Sequence, residues 1–182
     1  MTIACLLLAA GQSLRFGTDD KIATPLDGTP LGLHAARRLR SLPLAAHFVV
    51  TNSIQLDWSG WEIVRNDHPE AGIARSIALG VAAARRSGAN ALLLALADMP
   101  FVPTAHFERL LAHDRGPASL AASSDGRHRT PPALFGADWF DALERLSGDH
   151  GARALLADAV TVEASPADLR DVDRPADLSA NP

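Results

Sequence analysis

The chain has 182 residues, of which 47% are apolar and 21% charged, and a formal net charge of −4. Enough apolar surface is available to offset chain entropy, which excludes a mainly disordered chain, and the length favours one domain, taken as 1–182. The acidic balance excludes a generic basic nucleic-acid surface and still permits a local anion pocket.

The first apolar run, Ile3–Leu8 (IACLLL), is short and continuous, as in a strand buried on both faces of a parallel sheet. The run ends at Ala10, before Gly11, so it is too short to cross a bilayer and carries no leader signature. Cys5 is the single cysteine, so an internal disulfide is excluded, and it reads as a small buried hydrophobe. These features together predict a cytoplasmic protein with no membrane partner.

A loop rich in glycine and polar residues follows, from Ala9 to Gly28. Thr29-Pro30 then reads as an N-cap with proline at the first helical position. Leu31, Ala35 and Leu39 form the apolar stripe of that helix, with Arg37, Arg38 and Arg40 on the other side. His47–Thr51 and Trp61–Val64 are predicted strands. Gly72–Ser87 is a predicted helix striped by Ile73, Ile77, Val81 and Ala84, and stopped by Gly88. Ala91–Leu96 (ALLLAL) is a second buried strand, leading into Asp98-Met99-Pro100. Val102–His113 reads as a helix opened by Pro103.

Further on, Ala118–Ala122 and Ala133–Phe135 read as short strands flanking a polar loop, Ser123–Pro132. Asp138–Leu146 and Ala152–Ala157 read as helices about the turn Ser147–Gly151. Val160–Glu163 alternates like an edge strand, and Pro175–Leu178 forms a terminal helical turn. Strand, loop and helix in alternation predict an α/β fold: a three-layer, doubly wound, mostly parallel sheet covered by helices on both faces. Ligands of such sheets bind beyond the carboxyl ends of the strands. The loop after Leu8 and the acid Asp98 both fall there.

The first loop carries the chemistry. Of 17 basic residues one is lysine, Lys21, which leaves 16 arginines; a compact, mobile ammonium there contrasts with the forked guanidinium of Arg15. Gly11 and Gly17 allow backbone N–H groups to approach an anion closely, and Arg15 offers paired donors to phosphate oxygens. The sequence has neither G-x-x-x-x-G-K-[ST] nor G-x-G-x-x-G, which argues against a Walker loop and a dinucleotide fingerprint. On glycine and charge alone, an ordinary βα turn with solvated charges fits equally well.

The string LLLAAGQSLRFGTDDK (Leu6–Lys21) resembles the signature L-A-A-G-x-S-x-R-[MF]-G-x-x-(x)-K of the molybdopterin-guanine-dinucleotide-synthase-like NTP transferases. The likeness continues in order through G-I-A-R-S-I (Gly72–Ile77), L-A-D-M-P (Leu96–Pro100), G-D-H-G-A-R (Gly148–Arg153) and D-V-D-R-P-A-D-L (Asp171–Leu178). Ala9-Ala10-Gly11 and Gly72–Ile77 are similar to the forms found in molybdenum cofactor cytidylyltransferases; guanine-type relatives usually show L-A-G-G and G-P-L-A-G. The resemblance implies a nucleotide-diphospho-sugar-transferase-like Rossmann-type fold. It implies transfer of CMP from CTP to the phosphate of molybdopterin (the molybdenum cofactor), with release of pyrophosphate and delivery to a molybdoenzyme.

Carried over residue by residue, the resemblance makes Arg15, Lys21 and Asp98 catalytic. Arg15 serves the leaving pyrophosphate and Lys21 the α-phosphate. The nucleotide contacts are Leu8, Ala9, Ala10, Gly11, Arg15, Lys21, Gly72 and Ser76. Asp98 and Asp173 are the Mg²⁺ ligands, with Asp171 as the alternative donor. Each has a plainer reading as well: Asp98 as a turn cap, Asp173 as an N-cap before Pro175, Ser76 as a polar residue in the first turn of its helix. Arg127, Arg129, Asp149 and Arg153 are the acceptor candidates, against a solvated loop and a helix cap. Arg129-Thr130-Pro131-Pro132 departs from the family's glycine, small polar residue, proline pattern. Two other functions therefore stand beside this one: transfer from GTP or to another phosphorylated acceptor, and a non-catalytic cofactor carrier. The seven histidines form no zinc spacing, and Trp58, Trp61 and Trp139 read as packing residues.

Overall fold

The computed structural model describes residues 2–11, 21–52 and 56–178. The central strand is β1 (Ile3–Ala9), buried along nearly its whole length. Its side chains alternate between two cores, as the period of two requires. Cys5, Leu7 and Ala9 face one cluster, and Ala4, Leu6 and Leu8 face the other. A continuous apolar run thus becomes a strand covered on both faces.

After it come a short 3₁₀ turn at Lys21–Ala23 and a two-residue hairpin of β2 (Pro25–Leu26) and β3 (Thr29–Pro30). Helix α1 (Leu31–Arg40) follows directly. Thr29 is therefore a strand residue and not the N-cap. Its hydroxyl accepts a hydrogen bond from Arg37 Nη1 at 3.0 Å, and the Leu31 N–H is satisfied by the Thr24 carbonyl at 2.9 Å. The hairpin claims Thr29 before the helix begins.

The chain continues through β4 (Ala46–Thr51), β5 (Glu62–Arg65), α2 (Ile73–Arg86), β6 (Ala91–Leu96) and α3 (Thr104–Leu111). Then come β7 (Leu120–Ser124), β8 (Arg129–Gly136), α4 (Phe140–Glu144) and β9 (Val160–Glu163). Seven strands form one sheet in the order β5-β4-β1-β6-β8-β7-β9. β8 is antiparallel to both its neighbours, while every other pairing in the sheet is parallel. The expected three-layer α/β architecture is present. Leu33, Ala35 and Leu39 of α1 pack with Phe107 and Leu110 of α3 on one face, and Ile77 and Val81 of α2 with Phe140 and Leu143 of α4 on the other.

Two expectations fail in the second half. Ser123–Pro132 is not a loop: Ser123 and Ser124 end β7, Arg129–Pro132 begin β8, and 125–128 turn between them. Proline signals a break because it cannot donate to a ladder. Here the register slips between Ala122 and Ser123, where Ala122 pairs with Ala133 and Ser123 with Thr130. Pro131 and Pro132 thus fall in the bulge, where no ladder N–H is needed. The two late helices are also shorter than expected. The first is a 3₁₀ turn at Ala137–Trp139 leading into α4, and the second is only a 3₁₀ turn at Ala152–Leu155.

Because β4 and β5 are added on one side of β1 and β6 on the other, strand order reverses at β1/β6. A crevice opens beyond the carboxyl ends at such a point.

Candidate functional site

That crevice has a volume of about 360 Å³. Its floor is Leu8, Ala9, Ala10 and Gly11, where β1 leaves the sheet. Lys21 and Asp98 close one end, and Gly72, Ile73, Ser76 and Asp149 line another wall. The motifs at positions 8–11, 72–76 and 98 therefore converge on one cavity. Arg15 belongs to the segment 12–20, outside the described residues.

Gly72 shows why this wall is glycine. Its φ is +86°, in the left-handed region, and a Cβ would collide with the Gly148 carbonyl. The turn at 147–151 is docked on the start of α2 by the Ala74 N–H, which donates to the Gly148 carbonyl at 3.1 Å. Close backbone approach at Gly72 thus carries Asp149, an acceptor candidate from the sequence, to the wall of this crevice.

Lys21 is the electrostatic centre. Its Nζ donates to Asp98 Oδ2 at 2.7 Å and to Asp173 Oδ1 at 3.0 Å. Burial alone would lower its pKa, but the charges and hydrogen bonds of Asp98 and Asp173 outweigh this and raise it above the ordinary lysine value. The ammonium stays charged through the neutral range. The carboxyl of Asp171, an exposed residue nearby, is pushed up first by partial desolvation and then by the charges of Asp173 and Asp98. At the terminal 3₁₀ turn, Pro175–Leu178, Asp177 Oδ2 accepts from the backbone N–H groups of Asp173 and Arg174 at 2.9 and 2.8 Å, and the Asp173 carboxylate meets Lys21.

Asp98 Oδ1 is buried and has no hydrogen-bond partner among the described residues. An orphaned carboxylate oxygen is costly unless a cation or ligand completes it. Among the described residues no group of three or more His, Cys, Asp or Glu side chains is arranged to hold a metal. The donor set is thus one orphaned carboxylate with a second acid at Asp173. That suits Mg²⁺, which keeps waters and shares its shell with substrate phosphates, and does not suit a closed all-protein cage.

A second cavity of about 480 Å³ shares Leu96 with the first. Met99 and Leu169 give it an apolar base; His128, Thr130, Arg153 and Asp171 supply its polar lining. Of the acceptor candidates from the sequence, Arg153 lines this cavity. Arg127 and Arg129 do not line it. The Arg127 N–H is bound in a turn to Asp125 Oδ1 at 2.9 Å, and Arg129 Nε donates to the Ala159 carbonyl at 3.2 Å. His128, exposed in the turn before β8, and Thr130, on β8, both line this cavity, which the polar cluster in the sequence did not reveal.

Sequence reasoning also missed Asn66, directly after β5 and only 1% exposed. A polar residue just beyond the carboxyl end of a strand was the available signal. Trp58 and Trp61 are buried as expected, and Trp139 packs partly against the core.

The sequence matches the family described as the MobA-like NTP transferase domain over residues 5–164. It is 33% identical to the purine catabolism protein PucB of Bacillus subtilis (strain 168), over 93% of this chain and 91% of that protein. It is 29% identical to a molybdenum cofactor guanylyltransferase of Shewanella frigidimarina, over 73% of this chain and 68% of that enzyme. Among solved structures, a nucleotidyl transferase from Methanothermobacter thermautotroptrophicus has the same fold, with a TM-score of 0.82 and 24% identity over 97% of this chain and 94% of that one. A CMP:2-keto-3-deoxy-manno-octonic acid synthetase complexed with CTP shares it at a TM-score of 0.73 and 16% identity, over 98% and 95% of the two chains. No helix among the described residues is long and apolar enough to cross a membrane. With its motifs gathered at the switch point of the sheet, the chain belongs to the MobA-like NTP transferase family and is a nucleotidyltransferase.

Proposed function

We propose that the protein moves CMP from CTP to the phosphate of molybdopterin, with Mg²⁺ as cofactor. The observation that carries this reading is the lone lysine set between Asp98 and Asp173 at the end of the nucleotide-sized crevice. An oxygen of the acceptor phosphate attacks the α-phosphorus. The bond from that phosphorus to the oxygen bridging to the β-phosphate breaks, and pyrophosphate leaves. The nucleophile is already an anion, so the protein need supply only positioning and positive charge. Lys21 supplies charge at the reacting phosphate, and Arg15, by the family resemblance, at the leaving pyrophosphate. Asp98, through its orphaned Oδ1, and Asp173 would hold Mg²⁺. When bound, the ion neutralises the triphosphate.

The second cavity is assigned to the pterin phosphate, with Arg153 as its cationic contact and His128 as a ring N–H donor. The small floor at Ala9-Ala10 and the Ser76 hydroxyl support cytosine as the base. A specific observation also favours GTP: the Shewanella relative is a guanylyltransferase. The product is then delivered to a molybdoenzyme, and the PucB relative is named for purine catabolism. A cytoplasmic setting agrees with the free, buried Cys5.

The test incubates the protein with Mg²⁺, molybdenum cofactor and either CTP or GTP, and measures pyrophosphate. CTP should support release, and Asp98→Ala should lower the rate by about 10²–10³-fold. Release with GTP alone would move the assignment to guanylyl transfer. Nucleotide binding without release in the presence of the pterin would leave a carrier.

A further inference from the structure

The polarity of the Ser76 hydroxyl is set by a neighbour outside the crevice. Asn66 Oδ1 accepts from the backbone N–H of His68 at 3.1 Å and from Arg75 Nε at 3.2 Å. Both of those groups can only donate, so the atom between them is the amide oxygen, and the other end of Asn66 must be the NH₂. That NH₂ donates to Ser76 Oγ at 2.9 Å. Asn66 and Ser76 are 1% and 4% exposed, so water does not compete freely for these bonds.

One of the two acceptor sites of the Ser76 oxygen is thus taken, and a further N–H at the other would leave the hydroxyl proton unmet. Its hydroxyl proton has no acceptor among the described residues, and the side chain lines the 360 Å³ crevice. A buried hydroxyl left with one proton to give is completed by a ligand acceptor.

We propose that Asn66 is a positioning residue that fixes Ser76 as a hydrogen-bond donor, so that the crevice takes a base presenting an acceptor ring nitrogen, as cytosine does at N3, and disfavours one presenting a ring N–H, as uracil does. This rests on the reading of the crevice as a CTP site. The converse follows from the same chemistry. A carboxylate in place of Asn66 can only accept, so Asn66→Asp draws the Ser76 proton to itself and turns the serine oxygen into an acceptor towards the base.

The test measures CTP and UTP affinity by calorimetry with Mg²⁺ on the full chain and on Asn66→Asp, Ser76→Ala and the double variant. The wild-type protein should prefer CTP, and Asn66→Asp should lower the CTP-to-UTP affinity ratio by about tenfold. In the Ser76→Ala background the same change should leave the ratio within about twofold. If Asn66→Asp does not fold, Asn66→Ala, which frees the hydroxyl to rotate, should lower the ratio by about threefold, again only with Ser76 present. A purely structural role would weaken both nucleotides alike. An unchanged ratio, or an equal change without Ser76, overturns the proposal. Wild-type protein that binds no nucleoside triphosphate would instead sink the CTP-site reading itself.

Discussion

The ammonium of Lys21 contacts two carboxylates that are 77 and 152 residues away in sequence. No arginine elsewhere in the chain can replace it, because a planar guanidinium cannot serve as a compact point charge in the same space. Lys21→Ala should lower nucleotidyl transfer by about 10²-fold or more while the protein still folds; the check is rate alongside circular dichroism. Near-normal turnover would remove Lys21 from the chemistry.

His106 makes a separate demand, outside the lining of the crevice. It is fully buried and takes part in a directed chain. Arg109 Nη2 donates to His106 Nδ1 at 2.9 Å, His106 Nε2 lies 2.7 Å from Ser123 Oγ, and that hydroxyl donates to the Pro132 carbonyl at 2.7 Å. A second ring proton would point at the Arg109 donor. Burial and then the Arg109 charge lower its pKa to about 4, against a smaller opposing pull from Asp168. Between pH 6.5 and about 4 the unfolded chain binds this proton and the folded one does not. Stability therefore falls as pH drops through that window, by at most ~1.4 kcal/mol per pH unit from this group. Urea unfolding at several pH values should show that slope, and His106→Gln should flatten it.

At the scale of elements, α2 sits unusually close to β1. A Cβ on Gly80 would overlap the Leu6 side chain, which is itself fully buried and has nowhere to move. Gly80→Ala gains up to about 1 kcal/mol of helix propensity and loses about 1–3 kcal/mol to overpacking. The net result should be a less stable protein, read as a lower urea midpoint at unchanged slope. Pairing it with Leu6→Val should restore part of the loss. The stripe of α2 and the runs at β1 and β6 were legible because buried helices and strands carry their period in adjacent residues. β8 was not, because Pro131 and Pro132 are compatible with a strand only where a register slip removes the need for their N–H groups. Whether a slip exists depends on the partner strand.

Across the whole molecule, the sheet keeps its two edges short. β5 and β9 have four residues each, with Glu62, Arg65 and Glu163 beside the exposed Ile63 and Val160. Short, charged edges discourage pairing with other chains. The crevice draws on the first strand, the start of α2, the end of β6 and the turn before the last 3₁₀ segments, so a bound nucleotide ties together parts from the whole described chain. CTP with Mg²⁺ at 100 times its Kd should add about 2.7 kcal/mol, a rise in Tm of about 5–10 °C for a chain of this size. Thermal melts with and without nucleotide check this, and Lys21→Ala should shrink the shift.

The α/β class, the buried central strands, the ordered motifs and the family they signal were readable from the chain alone, since each of these is written in residues that are neighbours along it. Folding in three dimensions alone brings Lys21 to Asp98 and Asp173, Asp149 to the crevice beyond β1, and His128 and Thr130, unlike Arg127 and Arg129, to the second cavity, and it sets Asn66 against Ser76. The reason is physical: those contacts are made at the carboxyl edge of the sheet, where strand order and not sequence separation fixes which side chains can touch.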